Sequence, residues 1–208
     1  MMRVEKIADH PDRSQRFYVT FSDGTTMRLY RQSIEDFGLY AGLEMTDDAY
    51  NNLRLSAGKI SAKMRAVRIV SASSVSKADL QRRLVQKGED PLQAKEAVAW
   101  MSELNLLDDA QTAAQIVSRC ASKGYGIERA KQALYEKRIP KAYWDAALAD
   151  YPDQSEHIRV FLLSKLSDDR DPASVRKAVD SLIRKGHHYS DVRNVLNDIS
   201  VDAPDAGE

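Results

Sequence analysis

Between residues 16 and 30 the chain alternates apolar and polar positions with a period of two. Phe17, Val19 and Phe21 are interleaved with Arg16, Tyr18 and Thr20, the pattern of a half-buried strand. Asp23-Gly24 supplies a tight turn, because glycine accepts the positive φ that hairpin turns require. Met27 and Leu29 resume the alternation on the return strand, and Val4 and Ile7 belong to a further one. So small a sheet needs a support to stand on. Ile34, Phe37, Leu39 and Leu43 offer it, after which Thr46-Asp47-Asp48 reads as a helix start.

From about residue 57 the spacing of apolar positions becomes helical. Ser76-Lys77-Ala78-Asp79 has the form of a capping box, with Leu80, Leu84 and Val85 following on one face. Gly88 closes that helix as a left-handed cap and Pro91 suits the first turn of the next. The next helix carries Ala94, Ala97, Val98 and Met101 on one stripe. Asp108-Asp109 cap a further helix, whose stripe is Ala113, Ile116, Val117 and Cys120.

This helical pattern repeats. Gly88, Arg138 and Gly186 serve as anchors. Eight residues before them stand Leu80, Ala130 and Ala178; four before, Leu84, Leu134 and Leu182; one before, Lys87, Lys137 and Lys185. Six after stand Ala94, Trp144 and Val192, and thirteen after stand Met101, Tyr151 and Ile199. Upstream of each unit lies another amphipathic helix, marked by Met64/Val67, by Ile116/Val117/Cys120 and by Phe161/Leu162/Leu166. Three short helices per unit cannot bury a core securely alone but can stack on their neighbours. The expected fold is therefore mainly α: three tandem three-helix repeats in an elongated, curved array, with a small N-terminal β-rich extension. The divisions fall at 1–56 for the extension, 57–107, 108–152 and 153–200 for the repeats, and 201–208 for an acidic, disordered tail. The middle repeat, with its Trp144, is expected to be the best packed.

Charge sharpens this picture. The 31 Lys and Arg balance the 31 Asp and Glu over the 208 residues. Residues 57–107 are nevertheless net +4, between an extension at −2 and a last repeat and tail at −3. A basic region flanked by acidic ends suggests one oriented contact surface. The single Cys120 excludes an intramolecular disulfide and any multi-cysteine metal site. No apolar run approaches the ~20 residues that span a bilayer, and no secretory signal opens the chain. A soluble, cytoplasmic monomer is expected, with no membrane partner.

Catalytic readings are weak. Gly124-Tyr125-Gly126 lacks the preceding strand and the Gly-Lys-Ser/Thr of a phosphate loop, and reads as a hinge between helices. Ser74-Val75-Ser76-Lys77 matches Ser-x-x-Lys without that class's partner motifs. Asp168-Asp169-Arg170-Asp171 lacks the glycine and distal glutamate of a calcium loop. Cys120 sits on an apolar stripe as a buried thiol. His187-His188 are adjacent on a loop, which sends their rings apart. No enzyme, metal or cofactor is expected.

Several segments together resemble the RecX family, small bacterial regulators of the RecA recombinase. They are Ser76 through Gly88, Leu104-Asn105-Leu106-Leu107-Asp108-Asp109, Arg119 through Ile127, and Ala133 through Ile139. The resemblance covers residues 57–200, and the N-terminal strands are similar to an extension found in some members. Glu89 stands where the family usually carries an aromatic residue, as do Gln111 and Thr112 a little further on. The resemblance implies a non-catalytic inhibitor that binds the RecA–DNA filament, restrains its ATPase and strand exchange, and so regulates DNA repair, homologous recombination and the SOS response. It implies contact with the RecA filament and with single- or double-stranded DNA. The candidate partner-binding residues are Arg82, Arg83, Lys87, Arg119, Lys123, Tyr125, Arg129 and Lys131, set against a merely solvated helix face. The other reading of the chain is a sequence-nonspecific nucleic-acid-binding helical protein.

Overall fold

A computed structural model of the chain describes residues 1–10, 15–166 and 171–201. The expected tail at 201–208 and the Asp168-Asp169-Arg170 run lie outside those residues, apart from the backbone of Val201. Among the described residues the protein is mainly α-helical, with a small sheet at its N-terminal end. It divides into two compact units, Met1–Leu107 and a second beginning at Asp108.

In the first unit, strands β1 (Met2–Asp9), β2 (Arg16–Phe21) and β3 (Thr26–Tyr30) form an antiparallel meander. A two-residue strand β4 (Glu44–Met45) adds to β1, giving the order β3-β2-β1-β4. The alternation read from the sequence appears in the register, where Phe17 faces Leu29 and Val19 faces Met27 on one side of the sheet. Gly24 takes φ +81° in the turn. Val4, Val19, Phe21 and Leu29 are buried with Leu39, Met45 and Leu53, so the short helix α1 (Arg31–Asp36), the loop after it and the next helix close this core.

That next helix, α2 (Asp47–Ala72), starts at Thr46, whose hydroxyl accepts from the Ala49 N–H at 3.2 Å. It runs unbroken for 26 residues, so the division expected at 56/57 falls inside a single helix. Its N-terminal half supports the sheet through Leu53, and its C-terminal half packs with α3 (Lys77–Gln86) and α4 (Pro91–Glu103). The stripe it buries there is Ala62 and Ala66; Met64 is 44% exposed, as is Val85 of α3 at 39%. The sequence reading of those two positions is thus corrected. Alanines on α2 oppose Ala94 and Ala97 of α4 in the same core, and small residues let helix axes approach where a methionine would hold them apart.

The second unit holds α5 (Asp109–Ser122), α6 (Ile127–Glu136), a 3-10 turn (Lys141–Tyr143) with α7 (Trp144–Leu148), then α8 (Ser155–Lys165), α9 (Pro172–Arg184) and α10 (Tyr189–Val201). The repeat is written into the backbone. Gly88, Arg138 and Gly186 take φ +90°, +54° and +88°, the left-handed conformation that ends a helix. Leu84, Leu134 and Leu182 are each buried to within 1% of completely.

The middle repeat is not the best packed, contrary to expectation. Among the described residues its core holds Ala113, Val117, Leu134 and Ile139 as buried members, against ten in the first repeat and seven in the third. Pro140 and Pro152 bracket its third helix, which shrinks to a 3-10 turn and five α-helical residues. So short an element cannot enclose Trp144, Leu148 and Tyr151, which stay half-buried. The large side chains that suggested tight packing are present, but the helix to seat them is too short.

Candidate macromolecular contact surface

Of the three basic residues predicted in the first repeat, Arg82 and Arg83 hang on one buried carboxylate, while Lys87 follows a helix end tied down by a second. Ser76 caps α3 by accepting from the Asp79 N–H at 3.0 Å. That cap places the Asp79 side chain, 1% exposed, beneath the helix, where it receives Arg82 Nη2 at 2.7 Å and Arg83 Nε at 2.9 Å. Two guanidiniums offset its buried charge, Arg82 hydrogen-bonding to Oδ1 and Arg83 lying at ion-pair distance from Oδ2. Glu89, one residue past the Gly88 cap, has a buried carboxylate that receives Arg65 Nε at 2.6 Å, with Ser61 Oγ donating to it at 3.0 Å. Arg65 also donates through Nη1 to the Lys87 carbonyl at 3.1 Å. The departure from the family pattern at Glu89 therefore has a local use: it ties α2 to the end of α3 and orients an arginine.

Arg83 and Lys87 line a cleft of about 580 Å³ together with Arg16 and Arg28 from the sheet and Arg65 and Arg68 from α2. Four of these six, Arg16, Arg28, Arg65 and Arg68, were not among the candidate contact residues. Arg65 and Arg68 stand three apart on one helix and so share a face, a signal that was legible. Arg16 and Arg28 become neighbours only through the pairing of β2 with β3. Arg82 does not line the cleft and is held instead by Asp79 and, through Nη1, by Gln86 at 3.0 Å.

In the second unit the predicted residues are dispersed. Arg129 pairs with Glu136 at 3.1 Å and Lys131 with Glu128 at 2.7 Å, all on the exposed side of α6. Hydrogen bonds from Gln132 and Arg129 hold the Glu136 carboxyl below the usual carboxylate range. Arg119 and Lys123 are exposed near the end of α5, and among the described residues neither has a carboxylate at ion-pair distance. Lys123 borders a shallower hollow with His157, Phe161 and Lys185, and the Lys185 ammonium lies 4.0 Å above the Phe161 ring.

Tyr125 lies in a junction that locks the second repeat to the third. The Gly126 N–H donates to the Lys185 carbonyl at 3.0 Å and the Glu128 N–H to the Gly186 carbonyl at 3.2 Å. A Cβ on Gly126 would collide with the Gly186 carbonyl, and one on Gly186 with the Arg129 backbone. Tyr151 donates its hydroxyl to the Tyr125 carbonyl at 2.7 Å, and its burial pushes the phenol up to about 12. His187 is 6% exposed, with Nε2 3.1 Å from the Gly124 carbonyl; burial lowers its pKa, opposed by that hydrogen bond. The glycine turn is thus a close-packed contact between repeats. Its half-buried Tyr125 presents backbone to the junction.

One position missed in the sequence links these observations. The residue just past each left-handed cap is buried in all three repeats: Glu89 at 8%, Ile139 at 4% and His187 at 6%. Each faces inward with a different chemistry, an ion pair, a hydrophobic core and a carbonyl contact.

Cys120 is buried, which raises its thiol pKa and suits a packing role. Among the described residues no group of three or more His, Cys, Asp or Glu is placed to hold a metal ion. None of the described helices is long and apolar enough to cross a membrane.

No family model matches the chain. It is similar to curated proteins named Regulatory protein RecX. That of Xanthomonas campestris pv. campestris (strain B100) is 30% identical over 132 residues, 62% of this chain and 82% of the relative. That of Clostridioides difficile (strain 630) is 22% identical over 200 residues, covering 93% of this chain and 94% of the relative. That of Vibrio campbellii is 26% identical over 147 residues, 69% and 95% respectively. A crystal structure of a regulatory protein RecX matches 95% of this chain with a TM-score of 0.62 at 18% identity. A structure of RecX from Lactobacillus salivarius matches 70% with a TM-score of 0.60 at 19% identity.

Proposed function

The chain belongs to the RecX family of regulatory proteins, and from that premise we propose that it is a non-catalytic inhibitor of RecA. It binds the RecA–DNA filament in the cytoplasm, as a monomer and without a cofactor. There it restrains the filament's ATPase and strand exchange, and so regulates recombination and repair. The observation that carries this reading is the similarity along nearly the whole chain to a protein named as regulatory. The repeated three-helix plan supports it, since repeats present successive similar surfaces to a partner that is itself periodic. Arg82, Arg83, Lys87, Arg119, Lys123, Tyr125, Arg129 and Lys131 are the proposed contact set, with Arg83 and Lys87 at its centre because they line the cationic cleft.

The test is an ATPase titration of the host's own RecA filament on single-stranded DNA. Suppression at substoichiometric amounts of this protein, undiminished by excess free DNA, is the expected outcome. An effect that vanishes as DNA is added would favour the second reading, a sequence-nonspecific nucleic-acid-binding protein whose action on RecA is competition. The cleft's six cations are the observation that keeps that reading in view.

A further inference from the structure

We propose that the β module and the first helical repeat together build a binding cleft for the phosphodiester backbone of a single-stranded nucleic acid. The inference rests on the filament reading for its biological setting, while its test needs only DNA.

The cleft draws its cations from three separate elements: Arg16 and Arg28 on β2 and β3, Arg65 and Arg68 on α2, and Arg83 and Lys87 at the end of α3. A helix C-terminus carries only about half a negative charge, which one cation offsets. Six cations converging near the end of α2 exceed what helix dipoles require. Two buried carboxylates hold two of these arginines. Glu89 takes Arg65 by its Nε edge and Asp79 takes Arg83 by Nε. Arg83 keeps both Nη groups for a ligand, and Arg65, whose Nη1 also donates to the Lys87 carbonyl, keeps Nη2; guanidiniums fixed in this way lose little freedom on binding, the arrangement suited to phosphate. Arg28, Arg68 and Lys87 are exposed, and among the described residues none of the three has a carboxylate at ion-pair distance.

The lining also argues against an acidic protein segment. Protein interfaces depend on aromatic or large aliphatic anchors in desolvated pockets, and here, among the described residues, the apolar residues of the lining are Ile69 and Ala72. Phosphate contacts need donors and charge alone. Tyr18 stands directly across from Arg28 on the paired strands, is 38% exposed, and has the His10 ring 4.7 Å away. A half-exposed aromatic beside a cationic track gives an unpaired base a surface to stack on, which favours a single strand over a duplex.

The experiment is fluorescence anisotropy of a labelled thirty-nucleotide oligo(dT) with the full chain, over a range of salt concentrations. The Arg28→Gln/Arg68→Gln double variant removes two cations without touching the buried carboxylates, and circular dichroism with thermal melting checks that it folds. It is expected to bind at least tenfold more weakly, with a salt slope smaller by about 1.4 at ~0.7 per phosphate contact. A control pair on the third repeat, Arg176→Gln/Arg193→Gln, should change affinity less than twofold. Undetectable binding by the parent chain would overturn the proposal. So would unchanged affinity in the cleft variant, or equal losses in both variants. Poly-glutamate displacing the oligonucleotide as well as unlabelled DNA does would point instead to an acidic protein partner. Tighter binding of a duplex of equal length would overturn the single-strand assignment. Cleft-dependent DNA binding without RecA inhibition would sink the filament reading alone.

Discussion

In the first repeat Arg65 and Arg83 are pinned from behind by the buried Glu89 and Asp79, while in the second Arg129 and Lys131 pair with Glu136 and Glu128 along one exposed helix. Both repeats follow one register and both are rich in arginine and lysine. What differs is the depth of the carboxylates. A buried carboxylate must be paired to be tolerated, so it dictates where its arginine stands. An exposed carboxylate competes with water and gives its partner little reason to stay. Net charge therefore says less about a contact surface than the burial of the counter-charges does.

Packing separates the two repeats in the same direction, and this gives the largest expected effect. Leu84 and Leu134 occupy the same register position and are both fully buried. Leu84→Ala should cost about 4 kcal/mol, because the large core around it cannot collapse into the cavity. Leu134→Ala should cost about 2–3 kcal/mol, because its smaller, half-open cluster can relax. Chemical denaturation measures both, and the reverse order would break the comparison.

A second test sets a local rule against a tertiary one. Ser76 caps α3 with its hydroxyl, whereas Gly126 at the corresponding position of α6 has no side chain to offer. Gly126→Ser improves the cap on paper by a few tenths of a kcal/mol. Its Cβ must nonetheless displace the Gly186 carbonyl, and a net destabilisation of about 2–3 kcal/mol is expected. A rise in melting temperature would show that the two repeats do not need this close approach.

Glu89→Gln should cost about 2 kcal/mol, because it leaves Arg65 without its counter-charge at a site only 24% and 7% exposed on the two partners. Glu136→Gln, which breaks the exposed pair in the second repeat, should leave the denaturation midpoint where it was. Equal effects of the two would remove the distinction between anchored and solvated cations.

The smallest effect concerns pH. Burial holds His187 below its ordinary value of 6.5 in the folded chain, so between the folded and unfolded values the unfolded chain binds more protons. Its contribution to stability is full above about pH 6.5 and is lost as pH falls through the interval down to the folded value. Ile139, at the same register position, carries no titratable group. Melting temperature should therefore fall on acidification below pH 6.5, and His187→Asn should flatten that slope. A slope unchanged by the substitution would assign the loss to other groups.

Much of this was readable in the chain. Period-two alternation gave the strands, capping and first-turn residues such as Thr46, Ser76, Pro91 and Asp108 gave the helix starts, and the Gly88/Arg138/Gly186 register gave the repeat. The candidate site was legible only in part. Arg83 and Lys87 lie on a helix whose face the sequence defines, but the charged groups that complete their cleft are separated from them by as many as 71 positions in the chain.

The amino-acid order by itself determined what depends on neighbours a few residues apart: helix or strand, where each starts, and which left-handed residue ends it. Those preferences arise from backbone sterics and local hydrogen bonds. Tertiary structure decided three other matters. It kept α2 continuous from the sheet into the first repeat, it left the middle repeat half-open, and it brought Arg16 and Arg28 to the same cleft as Arg65, Arg68, Arg83 and Lys87. Each depends on contacts between distant segments, where volume, burial and counter-charge are settled only once the chain has folded.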